Sequence, residues 1–294
     1  MNPSPNYLYA SLIAGFALAA STANAAFSLY QDFQSLTVGY DISGSDPNEN
    51  FTVSNTNAGT ASGGFTVAAD PTTPGNNVLR SDAVSRAFAG ALTTLTIPNN
   101  STATLFYRIY RLGSNAPDVN FGVSDQTANL IPTANAGLDY QSQLNVSGGV
   151  GNAQNSEFSP RNGGGTSNTD VIWTANTYFG IYQVVNTSTN TTQFYYQRVT
   201  DPAPILLTSV PGAVSNQAFR NAGTRPGTAM SHFLMVAGVP AGGGTQDVFY
   251  LDDIYIDLAG ANLTAPVLIP EPATGCLMMA GACCLLLRRR PGRS

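Results

Sequence analysis

The chain has 294 residues, of which 43% are hydrophobic and only 10% are charged, and it contains no lysine. An average soluble domain is about 25% charged. Four of the 12 arginines and one of the 17 carboxylates lie at the C-terminal end, so residues 26–265 carry eight arginines, 16 carboxylates and a net charge of −8. This acidic body excludes nucleic acid as a partner, because phosphate backbones are bound through clustered basic side chains.

The first 25 residues are predicted to be a secretory signal peptide. An apolar run, Leu8–Ala20, precedes Ala23-Asn24-Ala25, the small-x-small pattern that signal peptidase accepts, so Ala26 would begin the mature chain. The run is shorter than the roughly 20 residues of a membrane span. The alternatives are an amphipathic helix and an uncleaved anchor. The sequence therefore predicts export, with signal peptidase as a partner.

Residues 26–258 are predicted to form one all-β sandwich domain. Short runs of β-branched and aromatic residues alternate with clusters of Gly, Asn, Asp, Ser and Pro, as in chains of short strands joined by turns. The predicted strands include Thr104–Tyr110, Val171–Trp173, Tyr178–Val185, Gln193–Val199 and His232–Val236. The short segment Ser81–Ala91 is the one helical candidate in this body.

The last predicted strand, Val248–Leu258, alternates between two kinds of side chain. One face would carry Phe249, Leu251, Asp253, Tyr255 and Asp257, and the other Tyr250, Asp252, Ile254, Ile256 and Leu258. The second set is apolar except for Asp252, so this face is expected to meet the core, where Asp252 would need polar partners. Asp252 and Asp253 would then point to opposite faces.

Four segments of the body resemble concanavalin A-like, or laminin G-like, jelly rolls. The start FSLYQDFQSLTVG and the end FYLDDIYIDLAGANLTAP look like the terminal strands of that family, and Val67–Leu79 and Asn176–Asn186 look like inner ones. The resemblance implies a concanavalin A-like jelly-roll sandwich whose first and last strands pair. A galactose-binding-type jelly roll is the alternative.

A structural calcium ion is the metal that the carboxylates would hold. The strand pairing implied by the resemblance would bring Asp32 near Asp252 or Asp253. Calcium takes six to eight oxygen ligands from carboxylates, carbonyls and water. The alternative is that these aspartates hydrogen-bond turns or face solvent.

The residues that would support catalysis are scarce, so the protein is predicted not to be an enzyme. His232 is the single histidine, and no Gly-x-Ser-x-Gly motif occurs. Concanavalin A-like glycosidases carry Glu-x-Asp-x-x-Glu on one strand, whereas this body has only Glu49 and Glu157, both in polar segments. No catalytic residue is assigned. The alternative is a secreted carbohydrate-active hydrolase with an unrecognised site.

Aromatic side chains could stack on the apolar faces of sugar rings. The candidates are Trp173, Tyr178, Tyr182, Phe194, Tyr195 and Tyr196. Core packing is the preferred explanation of each of them, and Tyr195 and Tyr196 must face opposite sides of a strand. Exopolysaccharide is therefore the candidate ligand, and its binding residues stay unassigned.

The C-terminal end carries three signals in order after a predicted linker, residues 259–269. They are Pro270-Glu271-Pro272, the uncharged stretch Ala273–Leu287, and Arg288-Arg289-Arg290. This end resembles the PEP-CTERM sorting signal, which would span residues 270–294. The resemblance implies processing by an exosortase-type membrane protease, with transient inner-membrane anchoring followed by release to the cell surface or extracellular matrix. A plain tail anchor is the alternative.

Overall fold

The computed structural model describes residues 27–42, 46–56, 65–81, 88–113, 117–125, 141–146, 156–210, 212–220, 223, 228–238 and 248–266. The predicted signal peptide and the predicted sorting signal lie outside these ranges. Within them, all helix and strand assignments are β. None of these described residues forms a helix with the length and apolar character of a membrane span.

Nine of the described strands form one antiparallel sheet. Its path is β13 (Ile205–Leu206), β12 (Thr191–Arg198), β11 (Phe179–Asn186), β6 (Thr102–Arg111), β16 (Phe249–Asp257), β4 (Asn77–Ser81) and β3 (Phe65–Ala69). In addition, β1 (Ser28–Gln31) pairs with β16, and β14 (Gln217–Ala218) pairs with β12.

The other seven described strands form a second antiparallel sheet. Its path is β10 (Gly165–Thr166), β9 (Phe158–Asn162), β8 (Ser142–Val146), β7 (Asp118–Ser124), β15 (Met230–Gly238), β5 (Phe88–Ile97) and β2 (Phe51–Thr56). Neighbouring strands in this sheet are often distant in sequence, so long connections between the sheets build the sandwich.

The two sheets pack face to face through alternate side chains. The Tyr107 ring of β6 lies 5.6 Å from the Phe121 ring of β7 and 5.3 Å from the Phe233 ring of β15. The Phe158 ring of β9 lies 5.5 Å from the Phe179 ring of β11. Such aromatic pairs bury large apolar areas, and residues of both sheets form one continuous core. The predicted all-β jelly-roll sandwich is confirmed.

The outer face of the nine-stranded sheet, turned away from the seven-stranded sheet, carries further apolar side chains. We call Phe106, Tyr182 and Tyr255 the central aromatic cluster. A second cluster contains Val78, Tyr110 and Tyr250. Because alternate residues of β6 enter either the core or these clusters, β6 is buried on both faces.

A β-bulge at Asp253 makes the predicted alternation of the last strand wrong. Asp253 has φ 37°, and the register with β6 shifts between Asp252 and Ile254. One extra residue reverses the phase of a strand. Phe249, Leu251, Ile254 and Ile256 therefore contact the core. Asp252 lies on the outer face, and Asp253 lies on the same side as Asp252, since both approach the guanidinium of Arg108.

The remaining sequence predictions have mixed outcomes. The first and last strands pair as expected, with Leu29 opposite Tyr255, and four of the five predicted strands overlap β6, β11, β12 and β15. Val171–Trp173 is not a strand, since Ile172 forms only an isolated bridge with Glu157. The helix predicted for Ser81–Ala91 is wrong in its described part, because Ser81 ends β4 and Phe88 begins β5.

The chain crosses the outer face after β16 as a segment that we call the C-terminal strap, Leu258–Leu263. The Thr104 hydroxyl donates a 2.8 Å hydrogen bond to the Gly260 carbonyl and accepts a 2.9 Å bond from the Asn262 N–H. Leu263 packs against the central aromatic cluster. The described part of the predicted linker is thus fixed on the sheet by hydrogen bonds and apolar contact.

Candidate functional site

A pocket of about 660 Å³ opens on the outer face of the nine-stranded sheet, where β6 begins and β11 ends. We call it the strap pocket. The residues that line it are Ser101, Thr102, Val184, Asn186, Thr191, Gln193, Asn216, Leu258, Ala259, Gly260 and Ala261. Its volume falls within the roughly 300–1,000 Å³ of small-molecule sites.

The C-terminal strap forms one wall of the strap pocket. Besides the two bonds to Thr104, the Asp257 carboxylate holds the strap, because it accepts a 2.8 Å bond from the Ala259 N–H and a 2.7 Å bond from Asn262 Nδ2. The opposite wall belongs to the ends of three neighbouring strands, β6, β11 and β12. The pocket therefore has a framework of sheet and hydrogen-bonded strap.

The side chains that line the strap pocket are neutral. Six of them carry a hydroxyl or an amide, and the rest are aliphatic or glycine. Some of these groups are already used: Asn186 Oδ1 accepts bonds from the N–H groups of Ser188 and Thr189. The amide of Asn216, which is exposed, has no hydrogen-bond partner among the described residues. Amides and hydroxyls that donate and accept are suited to ligands rich in hydroxyl groups.

The central aromatic cluster lies beside the strap pocket along the strands. The Phe106 and Tyr182 rings are 4.8 Å apart, and Phe106 and Tyr255 are 6.1 Å apart. The Phe106 ring takes the space above Gly180, where a Cβ atom would come within 2.8 Å of it. All three rings are nearly inaccessible to solvent, so they support the sheet rather than offer a surface for stacking.

A carboxylate cluster follows the aromatic cluster on the same face. Asp252 is fully buried and pairs with the Arg108 guanidinium, whose Nη2 also lies 3.9 Å from Asp253 Oδ2. Asn76 Nδ2 donates to Asp252 Oδ2 at 3.2 Å and to Asp70 Oδ2 at 2.9 Å. The second oxygen of Asp252, Oδ1, is buried and accepts no bond from a donor among the described residues.

The electrostatics of this cluster follow from its burial. Burial and then the charge of Asp253 raise the pKa of Asp252 to about 7, against the opposing effects of Arg108 and Asn76. Burial also raises the pKa of Asp253, on which Arg108 acts in the opposite direction. The cluster can thus hold a proton near neutral pH, which is uncommon for aspartate.

The predicted calcium ligands are brought together only in part. Gln31 of β1 pairs with Ile254 of β16, so Asp32 follows β1 on the side of Asp253, and the Asp32 charge contributes to the raised pKa of Asp253. Asp32 Oδ1 also accepts bonds from the Gln34 N–H at 2.8 Å and from the Ser35 N–H at 3.4 Å. The cation between Asp252 and Asp253 is the Arg108 guanidinium. No metal-holding group of three His, Cys, Asp or Glu residues occurs in the described ranges. A shared calcium ion stays a prediction.

The aromatic candidates divide between the two faces of the nine-stranded sheet. Trp173, Phe194 and Tyr196 belong to the core. Tyr182 lies in the central aromatic cluster, with the half-buried Tyr195 packed against it, and the half-buried Tyr178 packs against the second cluster. None of the six lines the strap pocket.

Sequence reasoning missed the residues that do line the pocket. Ser101, Asn216 and Ala261 come from distant parts of the chain, and neutral polar side chains in turns carry no distinctive pattern. The pairing of β14 with β12 and the contact of the strap with Thr104 bring them together. The residues that sequence reasoning considered for catalysis have local roles. His232 is buried, with Nδ1 2.8 Å from Ser231 Oγ, and Glu157 accepts a 3.0 Å bond from the Asp170 N–H.

No family model and no curated protein matches the sequence. Among solved structures, the catalytic domain of a glycoside hydrolase family 131 protein from Coprinopsis cinerea is similar over 82% of this chain and 98% of that chain, at 13% identity and a TM-score of 0.49. Peanut lectin is similar over 75% and 96%, at 9% identity and a TM-score of 0.47. A sialidase is similar over 66% of this chain but only 17% of its own, at 8% identity and a TM-score of 0.41. Likenesses at these levels transfer neither substrate nor activity.

Proposed function

We propose that the protein is a non-enzymatic cell-surface or extracellular-matrix protein that binds polysaccharide in the strap pocket. The observation that carries the proposal is the pocket itself, about 660 Å³ lined by neutral hydroxyl, amide and aliphatic groups. Sugars present hydroxyls that both donate and accept hydrogen bonds, together with apolar C–H faces. Hydroxyl and amide side chains match the former, and Val184 and Leu258 offer apolar contact to the latter.

The positions of the carboxylates support the non-enzymatic part of the proposal. Glycoside hydrolysis needs a carboxylic acid at the glycosidic oxygen and a second carboxylate on the other side of the reacting sugar, about 5–9.5 Å away. No carboxylate lines the strap pocket. The Asp252 side chain is inaccessible to solvent and is covered by its contacts with Arg108 and Asn76.

A hydrolase is the second candidate, and one observation favours it. Asp252, whose pKa is raised to about 7, lies beside Asp253 on one face of the sheet. A carboxyl group that holds its proton near neutral pH, beside a second carboxyl group, is typical of the acid in glycosidases. In that case the substrate would lie over Arg108 and Asp253, which are the partly exposed members of the cluster.

Binding of the full-length protein to immobilised glucan, mannan, galactan, alginate and polygalacturonate tests the proposal. Asn216→Ala and Gln193→Ala should each weaken binding roughly 2- to 12-fold, since one neutral hydrogen bond contributes about 0.5–1.5 kcal/mol. Asn48→Ala, which removes an exposed amide outside the pocket lining, should bind like the unmodified protein.

Two results would contradict this proposal. The first concerns binding: the protein binds none of the five polysaccharides, or Asn216→Ala and Gln193→Ala bind as tightly as Asn48→Ala. The other is release of reducing sugar that disappears in Asp253→Asn, which would make the hydrolase the better description of the protein.

The proposal includes export, which is supported by sequence motifs outside the described residues. They are the Ala23-Asn24-Ala25 site before Ala26, Pro270-Glu271-Pro272, and the cluster Arg288–Arg290. Glu271→Ala should leave signal-peptide removal intact and accumulate an unprocessed form in the inner membrane, as detected by mass spectrometry of membrane fractions. Surface protein that retains Arg288–Arg290 would instead indicate a permanent anchor.

A further inference from the structure

We infer that the strap pocket selects neutral glycans and excludes acidic ones. The inference rests on the proposed function and names the class of polysaccharide that this pocket takes. It follows from three observations: the residues that line the pocket, the carboxylate at its edge, and the charge of the body around it.

The lining offers no cation to an acidic sugar. None of its 11 residues is arginine or histidine, and the chain contains no lysine. A uronic acid carboxylate that entered the pocket would lose part of its hydration without gaining an opposite charge. Moving an ionised group away from water without a partner is unfavourable. A neutral hydroxyl has a much smaller hydration penalty, which hydrogen bonds to amides and hydroxyls offset.

A carboxylate lies at the edge of the strap pocket. Asp257 immediately precedes Leu258, which lines the pocket, and its two oxygens hold the strap through Ala259 and Asn262. Because Asp257 fixes this wall, it cannot turn away from a ligand without loss of both hydrogen bonds. An anionic ligand would therefore lie close to a fixed like charge, which is repulsive.

The net charge of the body adds a long-range repulsion of acidic polysaccharides. Residues 26–265 carry a net charge of −8. An excess of negative charge lowers the local concentration of polyanions and slows their association, most strongly at low ionic strength. Neutral polysaccharides are unaffected by this field. The lining, the pocket edge and the body thus act in the same direction.

The affinities of the full-length protein for the same five polysaccharides, measured at low ionic strength, test the inference. At least one of the neutral polymers, glucan, mannan or galactan, should bind more than 10-fold more tightly than alginate and polygalacturonate. Equal or tighter binding of the acidic polymers would overturn the inference and leave polysaccharide binding intact. Binding to none of the five would contradict the proposed function instead.

A charge-introducing variant locates the selectivity in the pocket. Gln193→Lys adds a cation to the lining and should raise the affinity for polygalacturonate at least 5-fold. Asn48→Lys changes the net charge equally at an exposed position outside the lining and should raise that affinity less than 2-fold. An equal increase in both variants would show that overall charge, rather than the pocket, determines the preference, and would overturn the inference.

Discussion

Replacing Arg108 with methionine should lower the free energy of unfolding by about 3–5 kcal/mol at pH 8.5. The Asp252 carboxylate that pairs with Arg108 is fully buried, and removing one partner of a buried ion pair leaves an uncompensated charge in the interior. Asn76 would remain as the neighbouring donor, 3.2 Å from Asp252 Oδ2. Urea unfolding followed by circular dichroism measures the loss, with the same slope expected for both proteins.

Arg198→Met is the matched control for this experiment. The Arg108 guanidinium lies over the Tyr178 ring, 5.3 Å from its centroid. Arg198 likewise pairs with an aspartate, Asp201 at 2.9 Å, and lies over a tyrosine ring, that of Tyr196, at 5.7 Å. The difference is exposure, because the Arg198 and Asp201 side chains are 41% and 9% exposed, whereas those of Arg108 and Asp252 are 23% and 0% exposed. Exposed pairs contribute about 0–1 kcal/mol, so Arg198→Met should have a small effect.

Two further measurements connect the loss to the buried charge. The double variant Arg108→Met, Asp252→Asn should recover part of the stability, because it leaves no unpaired carboxylate at position 252. At pH 5 the loss from Arg108→Met alone should be smaller, because Asp252, with a pKa raised to about 7, already carries a proton. If Arg108→Met lowers the free energy of unfolding by less than 1 kcal/mol at pH 8.5, as little as Arg198→Met, then the Arg108–Asp252 pair contributes no more to stability than an exposed pair.

The sandwich was predictable because its strands follow local rules. Segments such as Thr104–Tyr110 combine β-branched and aromatic residues with period-two alternation, and the structure contains them in β6 and its neighbours. The rule of alternation fails at Asp253. A bulge is a property of the pairing between two strands, so the sequence VFYLDDIYIDL predicts a regular alternation that the register with β6 interrupts.

The candidate site was less predictable than the fold for a related reason. Pattern rules distinguish buried from exposed positions, but β6 has two buried faces, and alternation alone does not say which face meets the other sheet. Trp173 was a candidate for sugar stacking by residue type, and it lies in the core. The strap pocket depends on the contact between Thr104 and Gly260, two residues 156 positions apart whose types are common in loops.

The protein should lose stability as the pH rises from 5 to 8. The pKa of Asp252 is raised to about 7 in the folded protein, from an ordinary value of 3.8, and burial raises the pKa of Asp118 to about 6. At a pH above 3.8 but below these raised pKa values, Asp252 and Asp118 keep their protons in the folded state, whereas in the unfolded chain they have lost them. The stabilisation is therefore complete below pH 4 for these groups and is lost as the pH rises through 6 and 7. The expected change is on the order of a few kcal/mol.

Several neighbours act on Asp252 from other strands and loops, so the pH dependence belongs to the cluster. Asp253 and Asp70 favour its protonated form, whereas Arg108 and Asn76 favour its ionised form. Asp252→Asn should remove much of the decrease between pH 5 and 8 and leave the contributions of Asp118 and Asp253, whose pKa values are also raised by burial. Asp201→Asn is the control, because the pKa of Asp201 is lowered by Arg198 and its titration lies below this range.

The same titration, repeated with calcium, tests whether Asp32, Asp252 and Asp253 share an ion. A bound divalent cation stabilises ionised carboxylates and binds the folded state alone, so it would raise stability at pH 8 and flatten the pH dependence. Excess chelator should then restore the decrease. If the curves with calcium and with chelator coincide, the calcium prediction is wrong, and the Arg108 guanidinium rather than calcium is the cation that pairs with Asp252. If stability does not change between pH 5 and 8 in the unmodified protein, with or without calcium, and Asp252→Asn behaves in the same way, then Asp252 does not take up a proton in this range.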